Sequence, residues 1–364
     1  MKEKIAVLGG GNGSFAAAAD FALQGCEVRL WSKFPEELSA VRETGTITVS
    51  GPTLRGEARI ALVTDDISEA VRGVEVILSI LPAFTQIPIA ESLAPCLEDG
   101  QVVYLPPGTF GSYIMYRKFR EMGCGKDIAV AETGTNPYLT RKIDAHEVRI
   151  VVRACHLPTG VFPAKKTDDA VGKIQGFFPS AHAIEDALSG ALMNAGPVIH
   201  PPLIVLNTGP IEHPSAYDIH NEGTTPGIRK VISLLDGERI RVREGFDYQP
   251  NHYPLEDYYD ETRPNEWMYP RESKRLLMAS HLWSENIDYS HRYVTEDIAY
   301  GLAFLVSAAA YAGVDVPVAR SLLTIAGVVA GTDFMKTGRT FDALGLSGLS
   351  MKQLKNLLME GTQS

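Results

Sequence analysis

The stretch Lys4–Ser14, KIAVLGGGNGS, constrains the fold of this chain more than any other. Ile5, Ala6, Val7 and Leu8 form a short apolar run, and Gly9, Gly10, Gly11 and Gly13 follow it. An alanine-rich segment runs from Phe15 to Leu23 and stops at Gly25, and a second apolar run, residues 26–31, begins at once. The pattern reads as buried strand, glycine turn, helix and second strand. Gly9-x-Gly11-x-x-Ser14 fits the dinucleotide fingerprint with a small residue in its third place. Gly9 allows the sharp turn, Gly11 lets the backbone approach a pyrophosphate, and Ser14 lets helix pack closely on strand. Asn12 and Gly13 open the helix, whose unpaired N–H groups and dipole favour phosphates. A glycine turn alone closes many strands; here both strands and the helix are in place around it.

The second strand, EVRLW, ends at Trp31-Ser32-Lys33. An NAD-specific fold usually places an acid there for the adenosine 2′-hydroxyl. The nearest acids are Glu36 and Glu37, one helical turn further on. Ser32 and Lys33 suit a 2′-phosphate instead, which favours NADP, with NAD as the alternative; Lys33 fits equally well as a solvated surface lysine. Further strands are predicted at residues 46–49, 58–63, 74–81, 101–105, 128–131, 146–154 and 160–164, with helices at 92–97 and 168–176. The strand ends at Leu81-Pro82, Pro106-Pro107 and Glu132-Thr133 fall where ligands collect in such sheets. Leu81, Pro82, Pro107 and Glu132 are therefore expected to line the cofactor edge. This predicts an α/β doubly wound Rossmann domain over residues 1–180.

Residues 181–364 read as an all-α substrate and catalytic domain, with helices at 184–193, 227–244, 295–311, 318–330 and 351–359. Residues 285–293 read as a polar loop. Residues 246–273, rich in Tyr, Asp, Glu and Pro, read as a long irregular lid or interface segment. A chain of 364 residues accommodates two such cores. Its net charge of −10 argues against nucleic acid or an anionic membrane as a partner and leaves small anions open. Four scattered cysteines without a CxxC pair read as reduced thiols of a cytoplasmic protein rather than a metal site. The apolar run at 298–312 is short of a membrane span, and no signal peptide precedes the first strand.

Among nine histidines, His200 stands in NAGPVIHPP. The residue before a proline is pushed from helical geometry, so His200 is expected to end or kink a helix. An imidazole there serves as a general acid–base or as a core histidine bonded to a carbonyl, and spacing does not separate the two. His213, before Pro214, is a rival; His182, His220 and His291 have weaker claims. Arg292, Glu296 and Asp297 flank a helix start with Thr295 as its expected N-cap. Acids in a first turn suit the dipole, and Arg292 with Glu296 suits a surface pair. The alternative has Arg292 forking a substrate carboxylate and Asp297 orienting a histidine.

Taken together, these segments resemble the opine dehydrogenases, the octopine/nopaline dehydrogenase group, and especially the N-(1-D-carboxyethyl)-L-norvaline dehydrogenase type. The resemblance is carried by AVLGGGNGSFAAA, ETGTNPYLTR, NAGPVIHPP, EGTTP, RYVTEDIAYGL and TDFMKTGRTFDALGLSGLS. It implies a helical C-terminal domain like that of 6-phosphogluconate dehydrogenase. It also implies a catalytic pair falling on His200 and Asp297, an arginine for the oxo-acid carboxylate falling on Arg292, and a substrate contact at Asn194. The implied reaction is NAD(P)H-dependent condensation of a 2-oxo acid with the amine of an amino acid, by a homodimer. Ser32 departs from that type, which has an acid there, and residues 246–273 match it poorly. The rivals are a 2-oxo acid or ketone reductase of the same fold, such as ketopantoate reductase or glycerol-3-phosphate dehydrogenase, and a non-catalytic NAD(P) sensor. The reductases use a lysine early in the second domain, and this chain has none between Lys173 and Lys230.

Overall fold

The structure, a computed structural model, describes residues 3–213, 217–282 and 287–362. Its contacts divide it into two compact units, Met1–Ala191 with Asn356–Ser364, and Leu192–Lys355.

The first unit begins β1 (Lys4–Leu8), β2 (Glu27–Trp31), β3 (Thr46–Ser50), β4 (Gly56–Arg59), β5 (Leu62–Thr64) and β6 (Val76–Ser79). It continues with β7 (Val102–Leu105), β8 (Ala129–Thr133), β9 (Tyr138–Lys142), β10 (Glu147–Arg153), β11 (Leu157–Phe162) and β12 (Ala181–Ala183). Eight strands form one sheet in the order β12-β11-β8-β7-β6-β1-β2-β5. All its pairs are parallel except β11 with β8. β6, β7 and β8 are buried along their whole length, as parallel strands covered on both faces must be. From β1 the chain steps out through β2 to β5, then returns to the other side of β1 with β6. The switch of direction therefore lies beside the glycine turn, where such sheets hold their ligands.

A second sheet, in the order β4-β3-β10-β9, was not expected from sequence. It explains why the Asn12–Leu23 helix is apolar all round: Gly13 to Phe21 are buried without a break, and the helix packs on strands of both sheets. The one acid within it, Asp20, accepts hydrogen bonds from Tyr138 Oη (2.9 Å) and Gln24 Nε2 (2.9 Å) and pairs with Arg153.

Several local expectations are corrected. Residues 58–63 are not one strand: β4 joins the second sheet and β5 the first, with Ile60 and Ala61 crossing between them. The helix expected at 92–97 is Gln86–Leu93, which starts earlier because Pro88 falls in its first turn, where its missing N–H costs nothing. The helix expected at 184–193 is confined to Ala187–Ala191. It packs on β11 and β8, so the first unit runs on past residue 180.

The second unit is helical, with Gly196–Leu206, Pro226–Gly245, Tyr293–Leu302, Ala303–Ala312 and Pro317–Ala330 as its main elements. Residues 246–273 are mostly irregular but well packed. Trp267 and Tyr269 are buried beside Tyr258, and Trp267 Nε1 donates to the Tyr253 carbonyl (2.8 Å). The loop expected at 285–293 begins outside the described residues.

Candidate active site

The helix expected to break at His200 does not break. It runs from Gly196 through Pro201 and Pro202 to Leu206. Its packing against the Tyr293–Leu302 helix outweighs the local bias against helical geometry before proline. Gly301 makes the packing possible, since any Cβ there would overlap the Pro197 ring.

His200 and Asp297 meet at this crossing, with Nδ1 and Oδ2 2.8 Å apart. A carboxylate only accepts, so Nδ1 carries the hydrogen and the neutral ring keeps its lone pair on Nε2. Both side chains are mostly buried, His200 20% and Asp297 11% exposed. Asp297 Oδ1 lies against Gly196, where a Cβ would collide with it. Gly196 and His200 are one turn apart on the same helix face, so one carboxylate spans both. Asn194 Oδ1 accepts from Gly196 N (3.1 Å); the structure thus places Asn194, expected as a substrate contact, at the start of the His200 helix.

Tyr293 completes the pair's surroundings. Its ring stacks on His200 with centroids 3.6 Å apart and planes inclined by 12°, and its hydroxyl is 2.7 Å from His220 Nε2. Tyr293 stands within RYVTED, where no sequence signal marks it for a role. Thr295, expected as an N-cap, lies inside the helix instead.

Tyr293–Leu302 is a π-helix. At its end Ala303 N donates to Ile298, five residues back. In an α-helix that donor would serve Ala299, whose carbonyl is instead taken by Arg339 N at 2.9 Å. Gly338 has no Cβ to obstruct that approach. The wide turn under Asp297 is thus matched by a distant segment, the GRTF of the last resemblance block. π-turns in general favour functional sites.

Arg292 precedes this helix and pairs with Glu296 at 2.9 Å, its own side chain 59% exposed. Burial opposes its charge, but Glu296 and Asp297 outweigh burial and hold its pKa above the ordinary value. The guanidinium stays charged with an open face for a carboxylate. His213 ends a short helix, Thr208–Glu212, and is exposed; its neighbour Pro214 lies outside the described residues.

In the first unit the glycine turn fits a dinucleotide on structural grounds. Gly9 has φ +105°, and a Cβ there would lie 2.5 Å from Leu81 Cδ2. Gly13 leaves room for Ile80, and Ser14 Oγ donates to the Leu8 carbonyl at 2.8 Å. Gly11 differs: its φ of −82° needs no glycine, and a Cβ would meet nothing within 4 Å. Neither conformation nor packing accounts for glycine there, whereas close approach of a ligand to the backbone does. Asn12 Oδ1 accepts from Lys142 N (2.8 Å), and Lys142 Nζ reaches the Gly10 carbonyl at 3.2 Å; Lys142 was not singled out from sequence. Pro82 and Pro107 follow β6 and β7 on the same edge. Glu132 is fully buried and accepts from Phe110 N (2.7 Å) and Ser112 N (2.8 Å), at the start of the Gly111–Glu121 helix. Ser32 is buried and turned inward, and Lys33 is exposed.

Residues 183–330 match the family described as NAD/NADP octopine/nopaline dehydrogenase, alpha-helical domain. Residues 4–106 match the NAD-dependent glycerol-3-phosphate dehydrogenase N-terminus. The chain is 30% identical over 351 residues to an opine dehydrogenase of Arthrobacter sp. (strain 1C), covering 96% of this chain and 97% of that one. It is 26% identical to a vitopine synthase of Allorhizobium ampelinum, covering 98% and 99% of the two chains. Among solved structures it resembles octopine dehydrogenase with NADH and L-arginine, at TM-score 0.73 and 19% identity over 100% of this chain and 99% of that one.

Proposed function

The chain belongs to the opine dehydrogenase family, NAD(P)-dependent oxidoreductases of CH–NH donors, and we propose that its His200–Asp297 pair drives condensation of a pyruvate-like 2-oxo acid with the amine of an amino acid. The observation that carries this reading is the 2.8 Å bond between His200 Nδ1 and Asp297 Oδ2, which leaves Nε2 as the ring nitrogen not engaged by the carboxylate.

Nε2 takes a proton from the substrate ammonium, and the freed amine adds to the oxo carbon. The imidazolium, stabilised by the Asp297 carboxylate, returns that proton to the departing hydroxyl. Water leaves and a protonated imine forms. Arg292 holds the oxo-acid carboxylate in a fork, fixing which face of the imine is presented. Gly9, Gly11, Asn12, Gly13 and Ser14 would hold the dinucleotide, with Leu81, Pro82 and Pro107 beside it; the bound nicotinamide supplies the hydride. The secondary amine takes one proton from solvent, so each turnover consumes one ammonium, one oxo acid, one hydride and one proton and yields product and water.

We place the enzyme in the cytoplasm as a homodimer. Among the described residues no cysteine is joined in a disulfide, and no helix is long and apolar enough to cross a membrane. NAD(P)H oxidation with pyruvate, alone and with each of a panel of L-amino acids, tests the reading. It requires both substrates together; oxidation at the same rate with pyruvate alone would make this a hydroxy-acid dehydrogenase.

A further inference from the structure

The end of β2 lacks the usual acid, yet a carboxylate stands there. Glu37 lies in the Pro35–Leu38 turn, and its side chain folds back onto the strand end. Ser32 Oγ donates to Glu37 Oε2 at 2.6 Å, and Phe34 N donates to Ser32 Oγ at 3.1 Å, so the serine is fixed from both sides. The same carboxylate covers Gly10, where a Cβ would lie 2.5 Å from Oε2 and 2.6 Å from Glu37 Cβ. The dinucleotide fingerprint asks nothing of Gly10, an x position. Its φ is not positive either. The room that Glu37 needs is what accounts for glycine there.

Two cations are near. Lys33 is exposed. Lys142 sits beside the glycine turn, its Nζ 3.7 Å above the Phe15 ring. Burial lowers its pKa, and Glu37 and Asp144 oppose that shift. At the point where the adenosine ribose of a dinucleotide reaches β2, the group bonded to the strand end is Glu37.

We propose that Glu37 selects the cofactor: its carboxylate accepts the adenosine 2′-hydroxyl of NADH and repels the 2′-phosphate of NADPH. Gly10 and Ser32 hold the carboxylate in place. The proposal rests on dinucleotide binding by the first unit and is independent of the chemistry assigned to His200. It turns the expectation drawn from Ser32 and Lys33 toward NADH, because the serine hydroxyl is engaged by Glu37.

The test is fluorescence titration of the purified full chain with NADH and with NADPH, without substrates. The wild type binds NADH about tenfold or more tightly than NADPH, the size expected of one unscreened like-charge contact. Glu37→Gln brings the two affinities within about threefold, chiefly by tightening NADPH. Lys142→Met weakens both nucleotides alike, since it adjoins the turn that both share. Wild-type preference for NADPH, equal wild-type affinities, or an unchanged ratio in Glu37→Gln would each overturn the role of Glu37. Selective loss of NADPH in Lys142→Met would assign the 2′-position to that lysine instead. Binding of neither nucleotide by the wild type would overturn the dinucleotide reading itself. The wild-type ratio decides even if a variant fails to fold.

Discussion

Tyr293 lies flat against His200, ring centroids 3.6 Å apart, while its hydroxyl engages His220 at 2.7 Å. The ring holds the imidazole in the plane that Asp297 requires and offers a π-face to its protonated form. Tyr293→Leu should lower kcat about tenfold, from loss of roughly 1–2 kcal/mol of that support, with nucleotide affinity unchanged. Tyr293→Phe keeps the stack and should retain most activity. Steady-state kinetics on the two variants separate the ring from the hydroxyl.

In the proposed mechanism Asp297 fixes the His200 tautomer through the 2.8 Å bond to Nδ1. Asp297→Asn should reduce kcat by about 10²–10⁴ while NADH titration remains normal, because an amide neither enforces the tautomer nor stabilises the imidazolium. A variant with near wild-type kcat would remove Asp297 from the mechanism.

Gly196→Ala should reproduce much of that loss with His200 and Asp297 themselves left unmutated, since the methyl group would displace Asp297 Oδ1. Gly301→Val drives a side chain into Pro197 and should cost about 1–3 kcal/mol of stability. Thermal melts paired with kcat distinguish the two: Gly196→Ala falls mainly in activity, Gly301→Val in both.

Arg292 is charged, more than half exposed at its side chain and paired with Glu296. Arg292→Lys loses the planar fork and should raise KM for the oxo acid about tenfold, with a smaller effect on KM for the amine. Equal changes in both constants would place Arg292 elsewhere.

Burial lowers the His182 pKa, and His156 lowers it further, against the opposing bond to the Ser180 carbonyl. The unfolded chain therefore takes up the proton first as pH falls. Stability supported by neutral His182 is complete above about pH 6.5, the ordinary histidine value, and is lost as pH drops toward the depressed folded value. His182→Gln should flatten the acid side of the melting-temperature profile between about pH 5 and 7, leaving the neutral side unchanged.

Much of this was legible in the sequence for identifiable reasons. The β1–turn–helix was readable because Ile5–Leu8 and the glycines follow local rules, and the structure bears out the Rossmann and helical halves. The second sheet was not, because β4 and β9 are short and the pairing that joins its two hairpins, β3 with β10, brings together strands far apart in the chain. The continuous helix through His200 escaped because the proline rule is local, whereas Pro197 against Gly301 is tertiary. The π-turn leaves no mark in RYVTED itself; its matching donor, Arg339, is far along the chain. Glu36 and Glu37 are legible as the nearest acids after β2, but nothing in the sequence says that the Glu37 side chain folds back over Gly10.

Reduction of an imine that joins two substrates leaves a product whose structure can be read. The enzyme is given pyruvate, its best amino acid and cofactor deuterated at the transferable position, and the product is examined by mass spectrometry and NMR. The expected product is a secondary-amine dicarboxylate that retains the amino-acid nitrogen and carries one deuterium on the former oxo carbon. Deuterated lactate beside unchanged amino acid would contradict it.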